Sequence, residues 1–168
     1  MYDWIFFHVN KGKGSGDVVN QVEKVLSKPQ MELLQQENPM ILATVDHETG
    51  GPMVNAISWI YAPKPDCLQF AVHERSKIVR NIKENKEVTF TWMGLDTMYS
   101  ITGTVVGEPL LIEGTGLPLA RFRVVIREVR DIMYYGSRLV TKPTIEKTYD
   151  VHAASKLDSA VLHSLKTL

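Results

Sequence analysis

Hydrophobic residues early in the chain fall into short runs in which apolar side chains recur at every second position. The runs Met40–Val45, Met53–Tyr61 and Cys67–Val72 are separated by Asp46–Pro52 and Ala62–Asp66, which are rich in glycine, proline and polar residues. Apolar runs of this length, bounded by such turns, predict antiparallel strands that are joined as hairpins.

Three later runs extend the same pattern. The pattern predicts further strands at Glu87–Trp92, Tyr99–Val106 and Phe122–Tyr135. Gly103, inside the second of these strands, predicts a bend or the close approach of another backbone or a ligand. A parallel sheet would need a helical crossover between most strands, so short strands at this spacing favour a small antiparallel barrel. Both faces of Met53–Tyr61 are partly apolar, and we therefore expect both to be covered.

Three segments have helical signals instead. Ser27 and Gln30 form a Ser-x-x-Gln capping box, and the helix that they begin should end before Asn38–Pro39. Ser76–Asn85 and Ala153–Leu165 show apolar residues at helical spacing and are predicted to be the second and third helices.

Length and composition indicate one globular domain. The chain has 168 residues, of which 44% are hydrophobic and 23% are charged. Residues 1–18 differ from the rest: the Gly- and Lys-rich stretch Lys11–Gly16 lacks the spacing of a phosphate-binding loop. We expect residues 1–18 to be a disordered extension and residues 19–168 to form the domain.

Charge and cysteine content exclude several kinds of partner. Nineteen basic and nineteen acidic residues balance, so neither a nucleic acid nor an anionic membrane is an expected partner. Trp4–Val9 is too short for a signal peptide, and no run approaches the roughly 20 apolar residues of a membrane span. Cys67 is the only cysteine and the histidines lack ligand spacing, so we expect a cytoplasmic protein without a metal site.

The first candidate for chemistry is the predicted passage from the third strand to the second helix. A helix start offers free backbone N–H groups and a partial positive charge, and here side chains that bind anions lie beside it. These are Arg75, Ser76 and Lys77, and Val72 at the end of the preceding strand is a further candidate for contact with the cofactor. They predict a cradle for a phosphate group; the alternative is an ordinary capped helix whose basic residues are solvated.

The second candidate is a stretch of small and polar residues on the second strand, which leaves room for a flat ring to lie against the backbone. It consists of Asn55, Ala56, Ile57 and Ser58. Trp59 and Trp92 could border that ring, and their alternative role is packing in the core or in an interface.

Four pieces, in order, resemble the FMN-binding split barrel of the pyridoxamine 5'-phosphate oxidase family. They are the hairpin 43–52, the strand Val54–Trp59, the strand Leu68–Ala71 with Ser76–Ile82, and Ile101–Gly103. The resemblance spans residues 41–106. It implies a mainly β homodimer with flanking helices, in which FMN lies at the interface of the two subunits.

The same resemblance assigns roles to residues. It places the flavin ring near Asn55–Trp59 and the phosphate at Arg75, Ser76 and Lys77, with Trp92 and strand 99–105 lining the region of the second subunit. The oxidase itself has basic residues in its second strand and an arginine-rich motif near its C-terminus, and both are missing here. The chain therefore resembles a relative with another substrate.

The function expected from these observations is an FMN-dependent oxidoreductase acting on a small organic substrate. One alternative is a flavin or small-ligand binding or sensor module without turnover, and another is a dimeric interaction domain that has lost its ligand. The sequence leaves open the substrate, the electron donor, and whether a deazaflavin or a haem replaces FMN.

Overall fold

The computed structural model describes residues 22–141, 143–148 and 150–166. The predicted extension, residues 1–18, lies outside the described residues. The elements of the described part are β1 (Val22–Glu23), α1 (Lys28–Leu34), β2 (Met40–Val45), β3 (Pro52–Ile57), β4 (Ile60–Lys64), β5 (Cys67–His73), α2 (Lys77–Glu84), β6 (Glu87–Gly94), β7 (Thr97–Ile112), β8 (Leu119–Asp131) and α3 (Val151–Lys166). None of these helices is long and apolar enough to cross a membrane.

The strands form one antiparallel sheet that curls into a barrel. Their order is β3-β2-β6-β7-β8-β5-β4, and β1 pairs with β8. The two strands at the ends of this order, β3 and β4, are separated in the chain by only Ser58 and Trp59. The sheet must therefore curl until its two ends meet, which confirms the predicted antiparallel barrel.

The predicted second strand, Met53–Tyr61, is divided between β3 and β4. The amide of Ile60 donates to the carbonyl of Ser58 at 3.0 Å, and the amide of Ala71 donates to the carbonyl of Trp59 at 2.9 Å. The chain leaves β2 at Ser58 and pairs with β5 from Trp59 onward. The buried positions change across this crossing, from Ile57 on β3 to Ile60 and Ala62 on β4. Because both faces of Met53–Tyr61 are partly apolar, the sequence pattern does not reveal this change.

Gly103 lies at an irregularity in the pairing of β7 with β8. A Cβ atom at this position would lie 2.5 Å from the carbonyl oxygen of Val125. The close approach of another backbone that the glycine predicted is confirmed. β7 runs from Thr97 to Ile112, and β8 ends at Asp131, so the first is longer and the second ends earlier than predicted.

Aromatic side chains fill the middle of the barrel. The rings of Phe70 and Phe122 are stacked with centroids 5.1 Å apart, and Phe90 meets Phe70 edge to face at 5.6 Å. All three are buried. Burial of this kind of surface contributes most of the stability of a small domain, since each large apolar side chain adds about 1.5–3 kcal/mol.

The flanking helices pack against the barrel, α1 and α2 against its main core and α3 in a separate apolar cluster. The predicted capping box of α1 is confirmed, with the Ser27 amide donating to Gln30 Oε1 at 2.8 Å, but the helix ends at Leu34, earlier than expected. α3 packs against β4 and β5. Its buried residues are Ala154, Asp158, Val161 and Leu165, so that the polar Asp158 is more deeply buried than the neighbouring Leu157.

One face of the sheet is only partly covered by the described residues. We call this the outer face; it is formed by side chains of β2, β3 and β6 that alternate with the core positions, namely Ile41, Ala43, Val54, Ala56, Thr89 and Thr91. Val54 is 63% exposed and Ile41 is 41% exposed. The part of the chain that the structure describes therefore leaves this face open to solvent at Ile41 and Val54.

Candidate functional site

The start of α2 contains a polar atom without a partner. Ser76 is the N-cap residue in an extended conformation, but its side chain makes no capping hydrogen bond. Its Oγ is buried and has no hydrogen-bond partner among the described residues. A buried hydroxyl in this state costs about 1–3 kcal/mol, a cost that a ligand oxygen would remove.

Lys77, the first residue of α2, lies between two carboxylates. Its Nζ is 2.7 Å from Asp46 Oδ2 and 2.8 Å from Glu48 Oε2. These contacts, first with Asp46 and then with Glu48, raise the pKa of the Lys77 ammonium. The charges of this cluster, one positive and two negative, differ from the purely cationic cradle that the sequence predicted.

Asp46 is held by the turn that it begins. Its Oδ1 accepts hydrogen bonds from the amides of Glu48 at 2.9 Å and Thr49 at 3.2 Å, while its Oδ2 faces Lys77. The hydrogen bond from Lys77, followed by the bond from the Glu48 amide, lowers the pKa of Asp46 to about 2. The carboxylate is therefore ionised and fixed in place at neutral pH.

Asn81 joins α2 to this turn. It is fully buried; its Nδ2 donates to Thr44 Oγ1 at 2.9 Å, and its Oδ1 accepts from the amide of His47 at 3.0 Å. His47 Nδ1 also lies 2.8 Å from the same oxygen. These bonds make the first turns of α2 and the β2–β3 turn one rigid unit.

Arg75 does not join this cluster. Its side chain is 85% exposed, and its only described ion pair is with the neighbouring Glu74 at 3.8 Å. Its backbone amide donates to His73 Nδ1 at 3.2 Å. Of the three residues predicted to hold a phosphate, Ser76 and Lys77 lie in the cluster, while Arg75 extends from its edge.

β3 leads from this cluster to a groove. Met53 Sδ lies 3.6 Å from Asn81 Nδ2, and the exposed Asn55 projects from the same face of β3 as Met53. Ile57 lies about 13 Å farther along the strand than Met53, at about 3.3 Å per residue. The groove at this end has a volume of about 470 Å³. It is lined by Glu37, Asn38, Pro39, Ala56, Ile57, Ser58, Pro143, Ile145 and Lys147.

One wall of the groove is an irregular segment, residues 143–148, which we call the covering segment. Lys147 fixes it, because its Nζ lies 2.6 Å from Glu37 Oε1 and 2.9 Å from Asp158 Oδ2. These two carboxylates, Glu37 first, raise the pKa of Lys147 well above its ordinary value. The ammonium thus connects the covering segment to the chain after α1 and to α3.

The two tryptophans lie away from the open groove. Trp59 donates from Nε1 to Asp158 Oδ1 at 2.7 Å and packs in the apolar cluster beneath α3. Trp92 is 1% exposed and stacks on Tyr99 with ring centroids 5.4 Å apart. Val72 is also buried, on β5. The predicted site residues thus divide into the groove, the α2 cluster and the core.

Sequence reasoning did not assign roles to several residues of this site. The sequence pattern places Asp46 and Glu48 only in a polar turn, although an aspartate at the start of a turn that contains glycine is a known signal for side-chain bonds to the turn backbone. Lys147 carries no comparable signal, because the covering segment has no hydrophobic period. Asp158 carries none because it is a polar residue within the helical pattern of α3. Among the described residues there is no group of three or more His, Cys, Asp or Glu that could hold a metal ion.

Comparison with known proteins gives a consistent picture. Residues 26–110, just over half of the 168-residue chain, match the family model for pyridoxamine 5'-phosphate oxidase. A Lactobacillus delbrueckii protein assigned to that oxidase superposes with a TM-score of 0.55 at 22% identity, over 67% of this chain and 98% of its own. HupZ from Group A Streptococcus gives a TM-score of 0.53 at 16% identity, over 67% of this chain and 98% of its own. No curated protein matches the chain. At such identities the two structures support the split-barrel fold.

Proposed function

Because this chain belongs to the pyridoxamine 5'-phosphate oxidase family, we propose that it binds FMN and acts as an FMN-dependent oxidoreductase on a small organic substrate. The bound flavin would supply the electron transfer, and the residues of the chain would bind it, orient it and limit access to it.

The observation that supports this proposal most directly is the unpartnered Ser76 Oγ beside Lys77. A phosphate oxygen would accept a hydrogen bond from this hydroxyl, and the helix dipole favours a negative charge there. Lys77 would add a charge-assisted contact. In this proposal Arg75 remains at the edge of the phosphate site.

The groove beside β3 supports the placement of the flavin ring. Ala56 and Ser58 are small, so a flat ring can approach the backbone, while Pro39, Pro143 and Ile145 offer apolar surface opposite. Asn55 lies between the groove and the α2 cluster.

The outer face supports a homodimer. Its apolar and threonine side chains resemble an interface more than a solvated sheet, since exposed apolar patches on monomers are small. We propose that a second copy covers Ile41 and Val54, and that the flavin lies at the edge of this interface. The proposal includes the predicted role of Trp92 and the strand 99–105, which is to line the region of the second subunit.

The ionisable residues of the groove favour a second candidate, a flavin-binding module without turnover. Glu37 and Lys147 neutralise each other, and so neither is poised as an acid or a base. A flavoprotein oxidoreductase can act without such a residue, which keeps the first candidate ahead. Anaerobic addition of NADH or NADPH distinguishes the two, because only an oxidoreductase would bleach the flavin absorbance.

A cytoplasmic location completes the proposal. Cys67 is buried, and burial raises the pKa of its thiol, which keeps the residue in the unreactive protonated form. A single protected thiol is compatible with a reducing compartment.

Titration with FMN and with riboflavin tests the binding proposal. We expect FMN to bind more tightly than riboflavin, and the Lys77→Ala variant to lose about tenfold in FMN affinity while its riboflavin affinity is unchanged. Lys83→Ala, an exposed lysine on the same helix, is the matched control. A purified protein that is colourless and does not bind added FMN would contradict the proposal.

A further inference from the structure

The ion pairs of Lys77 point to a role for the two residues that make them. We call Asp46 and Glu48 the carboxylate pair. Among the described residues, Lys77 is the only cation within ion-pair distance of both, so the Lys77 site has an excess of negative charge before any ligand arrives. An approaching phosphate must overcome this charge in addition to losing its hydration.

The two carboxylates differ in how easily they can move. Asp46 Oδ1 is held by two backbone amides, and the aspartate side chain is 11% exposed. The Glu48 side chain is 61% exposed, and beyond Lys77 its described ion-pair neighbour is the imidazole of His47, with Nε2 at 3.7 Å. Glu48 can therefore rotate into solvent at little cost, while Asp46 stays beside the ammonium.

We infer that the carboxylate pair acts as a specificity filter, which excludes small inorganic anions from the start of α2 and admits a phosphate only when it is attached to a group that binds elsewhere on the protein. The inference rests on the proposed function and deepens it. A free phosphate or sulfate ion gains only the contacts at Ser76 and Lys77, and it must displace Glu48 from Lys77. The ring of a flavin gains additional contacts in the groove, and these offset the displacement.

Removing the negative charges should therefore create affinity for inorganic phosphate itself. Glu48→Gln removes the mobile charge without changing a buried contact. Asp46→Asn keeps the Oδ1 acceptor of the turn, so the double variant removes both charges with the turn preserved. Glu113→Gln, an exposed carboxylate in the β7–β8 connection, is the control for the change in net charge.

The experiment measures the dissociation constant of inorganic phosphate at constant ionic strength, from the rise in the melting temperature with phosphate concentration. Each removed charge should tighten phosphate binding about fivefold, as expected for like charges a few ångströms apart near the surface. The Glu113→Gln variant should match the wild type.

Equal phosphate affinities in the wild type, Glu48→Gln and the double variant would overturn the filter, whatever the FMN titration gives. Failure of the wild type to bind FMN would overturn the proposed function instead, and the phosphate comparison would still decide the inference. Tighter phosphate binding that disappears when Lys77→Ala is added would place the filter at Lys77, as inferred.

Discussion

Trp59 Nε1 donates a 2.7 Å hydrogen bond to Asp158 Oδ1, although 99 positions separate the two residues in the chain. The other oxygen of Asp158 accepts a contact from Lys147 at 2.9 Å. One buried carboxylate of α3 therefore fixes both the crossing between β3 and β4 and the covering segment over the groove.

This relationship predicts a large cost for removing the carboxylate. Asp158→Ala would leave the indole N–H of Trp59 buried without an acceptor, and we expect the free energy of unfolding to fall by about 2–4 kcal/mol. Ser159→Ala, an exposed change in the same helix turn, should stay within about 0.5 kcal/mol of the wild type. Urea denaturation followed by circular dichroism measures both values. Equal stability of the two variants would show that the Asp158 contacts contribute nothing net.

The barrel could be predicted from the sequence because its strands are short, alternating and bounded by strong turn signals. β2 has the predicted bounds, and the capping box of α1 was visible as a spacing of three residues between Ser27 and Gln30. Local chemistry determines these features, so a reading of local sequence finds them. The match of residues 26–110 to the family model agrees with the resemblance that the same pieces predicted.

The contacts that shape the site could not be predicted in the same way. Asp46 meets Lys77 only because β2, β5 and α2 fold together, and Lys147 reaches Glu37 from a segment without any periodicity. The candidate phosphate site therefore contains the expected cation, Lys77, together with the carboxylates of Asp46 and Glu48.

Asn81 should be more important for stability than its neighbours on α2. Its side chain satisfies Thr44, the His47 amide and the His47 ring in a fully buried position. We expect Asn81→Ala to lower the free energy of unfolding by about 2–4 kcal/mol, since it leaves several buried groups unpaired. Lys83→Ala should be nearly neutral. Denaturant titration of both variants checks this, and a loss below about 1 kcal/mol for Asn81→Ala would contradict it.

The Asp46–Lys77 pair should make stability depend on pH in the acid range. The pKa of Asp46 is lowered from the ordinary 3.8 to about 2 in the folded chain. A depressed pKa means that the carboxylate stabilises the fold above pH 3.8, and that this contribution disappears as the pH falls toward about 2. The difference in stability between the wild type and Asp46→Asn should therefore shrink over that range. Denaturant unfolding at a series of pH values measures it, and a constant difference would show that the pair is not coupled to folding.

Gly103 should not tolerate a side chain. An alanine Cβ at this position would lie 2.5 Å from the Val125 carbonyl oxygen and 2.6 Å from Val124 Cγ1. Either β7 and β8 must separate or the core must shift, and such overpacking typically costs about 1–3 kcal/mol. The matched control is Gly51→Ala, where the Cβ would lie at an ordinary 3.4 Å from Thr49 Oγ1. Thermal unfolding should separate the two variants, and a Gly103→Ala melting temperature equal to that of the control would mean that the strands yield without cost.

The outer face should determine the oligomeric state. A lysine introduced at Val54, which is 63% exposed and belongs to this face, would need to be desolvated in any interface formed there. We expect Val54→Lys to convert a dimer into a monomer in light scattering after size exclusion, with unchanged circular dichroism. Leu111→Lys changes a residue of similar exposure, 65%, at the far end of β7, and should leave the dimer intact.

If FMN lies at the edge of the interface, Val54→Lys should also weaken FMN binding, whereas Leu111→Lys should not. A wild-type protein that is monomeric at all concentrations would exclude the dimer, and a dimer that survives Val54→Lys but not Leu111→Lys would move the interface to the other end of the sheet.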